Sequence, residues 1–226
     1  MNIYLFIRNW AEVWAFFIPL SVVWFSKEKI PDSFKPITLY LYIGLALNAI
    51  STTMFVYHNK LPDFLFNNNI IYNIHSVIRV TFFSWFLLKT KMFNSNNFFR
   101  ITLILYAALA IVNFIFFDSI LEFSTALMLG ETVLLIILCT SYFYHAILDD
   151  ETSRINDPYF LLTAGLLLFE MLNFFVYLFY TPVGDLLDIN IKRSIWTVHN
   201  FSLVGLCIVM AVTFKKSITR KLNPDE

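Results

Sequence analysis

Six ionisable side chains lie inside long apolar stretches of the sequence, where each is costly unless it faces a partner or water. They are Glu12, His75, Arg79, Glu131, Glu170 and His199. The same stretches contain four asparagines, at 48, 113, 173 and 200. Ionisable groups at membrane depth usually face a helix-bundle interior and mark ligand, ion or proton sites. These residues are therefore the candidates for any chemistry that the chain performs.

Helical spacing gathers many of these polar residues onto single faces. Side chains three, four and seven positions apart lie on the same side of an α-helix. Four stretches show this spacing: Tyr72, His75, Ser76 and Arg79; Glu170, Asn173 and Tyr177; Asn48, Ser51 and Thr52; and His199 with Ser202. Polar stripes on several helices predict a cavity that the helices share.

The composition requires most of the molecular surface to face lipid. Of the 226 residues 58% are hydrophobic and 14% are charged, against about 45–50% and about 25% in soluble domains. Sixteen basic and sixteen acidic residues give a net charge of zero, which argues against a nucleic-acid partner. The sequence predicts an all-α integral membrane protein without a cofactor.

Seven apolar stretches have about the length of 20 residues that a helix needs to cross a bilayer. They are residues 6–26, 37–57, 69–89, 99–117, 123–147, 158–180 and 194–214. The connections between them are short, so we expect one transmembrane domain over residues 1–226, with a basic tail at 215–226. Asp157 and Pro158 form a helix start signal before the sixth stretch.

The distribution of lysine and arginine predicts the orientation. Eleven of these residues fall in connections on one side and in the tail: Lys27, Lys29, Lys35, Lys89, Lys91, Arg100, Arg154, Lys215, Lys216, Arg220 and Lys221. The opposite side has four: Arg8, Lys60, Lys192 and Arg193. Cytoplasmic loops are enriched in basic residues, so we expect the N-terminus outside and the C-terminus in the cytoplasm.

This orientation places most polar residues of the spans in the outer half of the bundle. The predicted cavity residues are His75, Arg79, Glu131, Glu170, Asn173, His199, Asn48, Asn113 and Tyr72. Arg79 stays charged at any ordinary pH and needs a carboxylate partner, for which Glu131 and Glu170 are both candidates. Glu12, between Trp10 and Trp14, either joins this layer or reaches water at the membrane interface.

A metal site is the less favoured use of the same residues. His75, His199, Glu131 and Glu170 offer imidazole and carboxylate ligands that suit zinc or iron. The sequence contains neither HExxH nor HxxxH, so satisfied interior histidines are the simpler interpretation, and no metal is predicted.

The last third of the chain carries a family resemblance. The sequence DPYF at 157–160 opens a Phe/Leu-rich helix, and IWTVHN at 195–200 leads into a helix with a basic end. With these features the chain resembles small uncharacterised bacterial seven-helix membrane proteins, often encoded beside sensor histidine kinases. The resemblance implies a sensor or accessory subunit in the inner membrane and carries over no catalytic residue.

The leading hypothesis is therefore a receptor-like protein whose outer cavity responds to a small molecule or to protons. It would signal through a cytoplasmic partner, such as a histidine kinase, and its remaining partner is the lipid bilayer. Two alternatives stay open: an intramembrane metal-dependent hydrolase and a small transporter. An enzymatic activity is less expected than a sensory role.

Overall fold

The computed structural model describes the backbone of residues 9–57, 60, 68–90, 96–148, 157–180 and 189–222, and the side chains of these except 96–99, 189–190 and 220–222. Parts of several predicted features lie outside the described residues. These are Arg8 and the start of the first span, Lys91, Arg154, and the connection that holds Pro182.

The described residues form seven α-helices and contain no strand. The helices are α1 (Ala11–Phe25), α2 (Lys35–Val56), α3 (Asn69–Lys89), α4 (Asn96–Phe116), α5 (Thr125–Leu148), α6 (Pro158–Tyr180) and α7 (Ile189–Leu222), with a short 3₁₀ turn at Asp32–Phe34. The predicted all-α class is confirmed. Asp157 precedes α6 as expected, and its side chain accepts a hydrogen bond from the Tyr159 amide at 3.3 Å.

Five of the helices, α2, α3, α5, α6 and α7, are long and apolar enough to cross a membrane. The described apolar parts of the other two, Ala11–Phe25 and Arg100–Phe116, are shorter. The structure therefore supports a membrane protein with several spanning helices, and the count of seven spans stays a prediction.

The last helix is longer than the predicted span of 194–214. α7 has 34 residues and continues without a break through the basic segment to Leu222. Residues 215–222 contain neither glycine nor proline, and lysine, arginine and leucine all favour helix. The part of the predicted tail that the structure describes is thus a helical extension of α7.

Six helices pack into a closed ring, and α4 lies outside it. Neighbours pack in the order α1, α2, α3, α5, α6 and α7, with α7 returning to α1, while α4 packs outside against α3 and α5. Glycine allows one of these close approaches, because a Cβ at Gly165 of α6 would lie 2.7 Å from Val209 of α7. The ring gives the molecule an interior that side chains from six helices share.

The two ends of the ring differ in character. At one end Phe34, Phe86, Tyr159 and Phe214 pack together, and the Phe34 and Tyr159 rings stack at 5.0 Å. Lysines such as Lys35 and Lys89 stand at this end, which we call the basic end. At the other end, where α1, α3 and α7 begin and α2 and α6 finish, polar side chains replace the apolar core.

Candidate functional site

A cavity of about 290 Å³ opens at the end opposite the basic end. Five helices contribute residues near their termini: Glu12 of α1, Thr52 of α2, Tyr72 of α3, Tyr180 of α6 and Trp196 of α7. Phe123, just before α5, completes the inner wall. We call this cavity the vestibule. It forms because the helices that begin at this end of the ring and the helices that finish there have their termini at the same level.

Glu12 lies at the base of the vestibule and joins four helices. Its carboxylate accepts hydrogen bonds from the Trp196 indole N–H at 2.8 Å and from the Tyr72 hydroxyl at 3.1 Å. Its backbone carbonyl accepts a third bond from the Asn48 amide at 3.0 Å. Glu12 is 7% exposed, so of its two predicted locations the structure selects the polar layer.

Four aromatic rings pack together in the vestibule, and two of them, Tyr72 and Trp196, hydrogen-bond the Glu12 carboxylate. The Trp196 ring centroid lies 5.4 Å from that of Tyr72, 6.1 Å from Phe123 and 5.1 Å from Tyr180. Phe123 and Tyr180 are in turn 5.4 Å apart. The plane of the Trp196 ring makes an angle of 83° with that of the Tyr72 ring and 75° with that of the Phe123 ring. The rings therefore meet as the corners of an aromatic box.

Two basic residues lie at the rim of the vestibule. Lys192 and Arg193 line it from the first turns of α7. They precede Trp196 by four and three residues, so all three lie on neighbouring positions of one helix face. The vestibule thus has a carboxylate and aromatic rings in its interior and two basic side chains at its rim.

A second, much smaller void of about 10 Å³ lies beneath the vestibule. Glu12, Tyr72, Phe123 and Trp196 line both cavities and so form the boundary between them. The lower walls include the predicted residues His75, Arg79, Asn48 and His199. A void of this size has room for about one water molecule, and Nε2 of His75 has no hydrogen-bond partner among the described protein atoms.

Arg79 pairs with Glu131 and not with Glu170. Its guanidinium donates from Nε to one Glu131 oxygen and from Nη2 to the other at 3.0 Å. Nη2 also reaches the Tyr177 hydroxyl at 3.3 Å, and the Ser76 hydroxyl donates to Glu131. This bidentate pair links α3 to α5. Of the two candidate carboxylate partners of Arg79, the structure therefore selects Glu131.

Glu170 lies fully buried in the interior of the ring. It is 0% exposed, and neither carboxylate oxygen has a hydrogen-bond partner among the described residues. Its predicted companion Asn173, one turn along α6, is fully bonded instead. Asn173 donates to the Phe169 carbonyl at 2.7 Å and to the Ser202 hydroxyl at 3.1 Å, and its amide oxygen bonds His199 Nδ1.

Asn113 does not reach the central cluster. Its amide donates to Ser124 at 2.8 Å and to Asp118 at 3.1 Å, within the short turn between α4 and α5. It lines neither the vestibule nor the small void. The physical reason is that α4 packs outside the ring, so Asn113 near its end meets the adjoining turn and not the interior.

The alternative metal set is not assembled. Within the part of the chain that the structure describes, no three His, Cys, Asp or Glu side chains come close enough to hold a metal ion. Two of the four residues have other partners: Glu131 binds Arg79 and Ser76, and His199 binds Asn173.

The predicted cavity list missed Glu12, Trp196, Phe123 and Tyr180. The aromatic residues resemble interfacial anchors, because tryptophan and tyrosine are enriched near the ends of spans. The sequence held one signal for Trp196, which lies three residues before His199 on the same helix face.

Comparison of the chain with known protein families, curated proteins and solved structures finds no match.

Proposed function

We propose that this chain is a receptor-like sensory protein of the cytoplasmic membrane, with seven spans, the N-terminus outside and the C-terminus in the cytoplasm. A small molecule enters the vestibule from outside and changes how α3, α6 and α7 pack. The distribution of basic residues supports this orientation, which makes the vestibule the outward-facing end.

One observation carries the proposal: the same four side chains line both the vestibule and the small void beneath it. A ligand that contacts Trp196 competes with its hydrogen bond to Glu12, which also binds α2 and α3. Trp196 in turn lies 4.8 Å from His199, which bonds Asn173 of α6. Binding at the vestibule therefore has a contiguous route to three further helices.

The length of α7 supports an output at the basic end. Its 34 residues span about 51 Å at about 1.5 Å per residue, against about 30 Å for the hydrocarbon core. One helix thus connects the vestibule rim to a basic extension on the cytoplasmic side. A cytoplasmic signalling protein, such as a histidine kinase, is the proposed partner for that extension.

The test is a distance measurement in lipid nanodiscs. Spin labels are attached at Lys89→Cys and Lys215→Cys, in a protein whose native cysteines carry Cys139→Ala and Cys207→Ala. Amino acids, amines, carboxylates and sugars are then added in turn. We expect at least one compound to shift the distance distribution in this protein and in a Phe201→Ala control, but not in Trp196→Ala.

Two outcomes contradict the proposal. If no compound shifts the distance, or if Trp196→Ala responds like the control, the vestibule does not drive the change. If the active compound also accumulates in protein-containing vesicles along its gradient, the protein is a transporter. Phe201 is the matched control because it lies on the same helix and is 74% exposed on the outer surface.

A further inference from the structure

We infer that the vestibule binds a small zwitterion, with its ammonium group at Glu12 and the aromatic box and its anionic group at Lys192 and Arg193. This inference rests on the proposed function, since it names the class of ligand for the same site. It is carried by the charges and the aromatic rings of the residues that line the vestibule.

The base of the vestibule, where Glu12 lies, favours a positively charged group on the ligand. The Glu12 carboxylate has about four acceptor positions, and the two side-chain bonds from Trp196 and Tyr72 leave acceptor capacity toward the cavity. Among the residues that the structure describes, the two ion pairs, Arg79 with Glu131 and Lys35 with Asp32, do not include Glu12. An ammonium group would supply a positive charge and further hydrogen bonds.

The aromatic rings that line the vestibule also favour a positively charged group on the ligand. Tryptophan, tyrosine and phenylalanine attract cations over their ring faces, and boxes of such rings recognise alkylated ammonium groups. Here four rings pack at centroid distances of 5.1 to 6.2 Å, and two of them belong to residues that hydrogen-bond the Glu12 carboxylate. A plain anion would make poor use of this combination.

The basic side chains at the rim favour a negative group at the other end of the ligand. Arg193 and Trp196 are separated by about 4.5 Å along the axis of α7, so the rim cations stand one helical turn above the floor. Arginine and lysine bind carboxylate and phosphate oxygens. The volume of about 290 Å³ lies at the lower end of ligand pockets, which run from about 300 to 1,000 Å³. The ligand is therefore compact, with its two charges a short chain apart.

The test compares probes that differ only in charge. Titration calorimetry in nanodiscs uses γ-aminobutyrate, butylamine and butyrate, together with the trimethylated form of γ-aminobutyrate. Glycine, β-alanine and 5-aminopentanoate vary the distance between the charges. We expect the best zwitterion to bind at least about tenfold more tightly than either singly charged analogue, because it makes both charge-assisted contacts.

Variants assign each end of the ligand. Glu12→Gln keeps an acceptor for Trp196 and Tyr72 but removes the charge, so it should weaken the amine and the zwitterion while butyrate is unaffected. Arg193→Gln should weaken butyrate and the zwitterion while butylamine is unaffected. Lys215→Gln at the basic end is the control. Arg193 is exposed, so its variant tests the inference even if Glu12→Gln fails to fold.

The outcomes separate this inference from the proposed function. If no zwitterion of the series binds, or if butyrate or butylamine binds as tightly, the ligand class is wrong. A compound of another class that acts through Trp196 would leave the sensory role in place and overturn only the class. A Glu12→Gln protein with unchanged zwitterion affinity would show that the carboxylate serves packing alone.

Discussion

At the residue scale, two buried glutamates on neighbouring helices have opposite environments. Glu131 accepts hydrogen bonds from Arg79 and Ser76, and the Arg79 guanidinium also lies 5.4 Å above the Phe169 ring. Glu170 is equally buried and has no hydrogen-bond partner among the described residues. The first carboxyl group links α3 to α5 through its hydrogen bonds, whereas the second makes no such bond to any described residue.

Removing one member of the buried pair should be costly. We expect Arg79→Leu to destabilise the protein by about 3–5 kcal/mol, because Glu131 is left as an uncompensated buried charge. The double variant Arg79→Leu/Glu131→Leu should be more stable than Arg79→Leu alone. Equilibrium unfolding in lipid nanodiscs measures both. Lys35→Ala, which breaks an exposed ion pair with Asp32, is the control and should change little; an equal loss there would contradict the prediction.

Replacing Glu170 should have the opposite effect. Glu170→Leu removes an unsatisfied buried polar group, and we expect a gain in stability of about 1–3 kcal/mol. Asn173→Leu, one turn away, should lower stability because it leaves His199 and Ser202 without their bonds. Thermal unfolding of the two variants side by side tests the contrast. A comparable loss in both would mean that Glu170 has a partner outside the described protein atoms.

At the element scale, α7 links the two ends of the molecule. It supplies Lys192, Arg193 and Trp196 to the vestibule, then packs against α1 and α6 along the ring. Its apolar middle passes into Lys215 and Lys216 at the basic end. Basic side chains in the last turns of a helix also interact favourably with its dipole.

The orientation of α7 is open to direct chemical test. In a protein carrying Cys139→Ala and Cys207→Ala, we expect a membrane-impermeant thiol reagent to label Thr197→Cys in intact cells. Thr219→Cys should react only after the membrane is permeabilised. Mass spectrometry of the purified protein quantifies both. The reverse pattern would invert the topology and place the vestibule on the cytoplasmic side.

At the scale of the whole molecule, the outer surface is an apolar belt. Large apolar side chains are exposed on every helix, among them Phe55, Leu105, Phe116, Ile137, Leu168 and Phe201. Soluble monomers rarely expose contiguous apolar surface of this extent, and lipid provides the matching solvent. The belt includes α4, whose described apolar part is shorter than a full span.

A charge in the middle of α4 tests whether this helix crosses the bilayer. Leu105 is 62% exposed at the centre of α4, whereas Phe117 is 78% exposed just past its end. We expect Leu105→Lys to impair insertion by about 2.5–3.5 kcal/mol, the cost of lysine at the centre of a spanning helix. Phe117→Lys should insert almost normally. Glycosylation-site mapping of the two variants measures the inserted fraction, and equal insertion would place α4 outside the hydrocarbon core.

Composition and helical spacing were enough to predict an all-helical chain with polar stripes facing a common interior, because lipid penalises unpaired charge and backbone groups wherever the chain runs. Spacing along one helix carries no information about which helices are neighbours. Only the packing of the ring determined that Arg79 binds Glu131, that Asn113 stays with its own turn, and that Glu12 and Trp196 meet beneath the vestibule. The bonds of Arg79 to Glu131 and of Glu12 to Trp196 join residues 52 and 184 positions apart, so they depend on the tertiary arrangement of the helices.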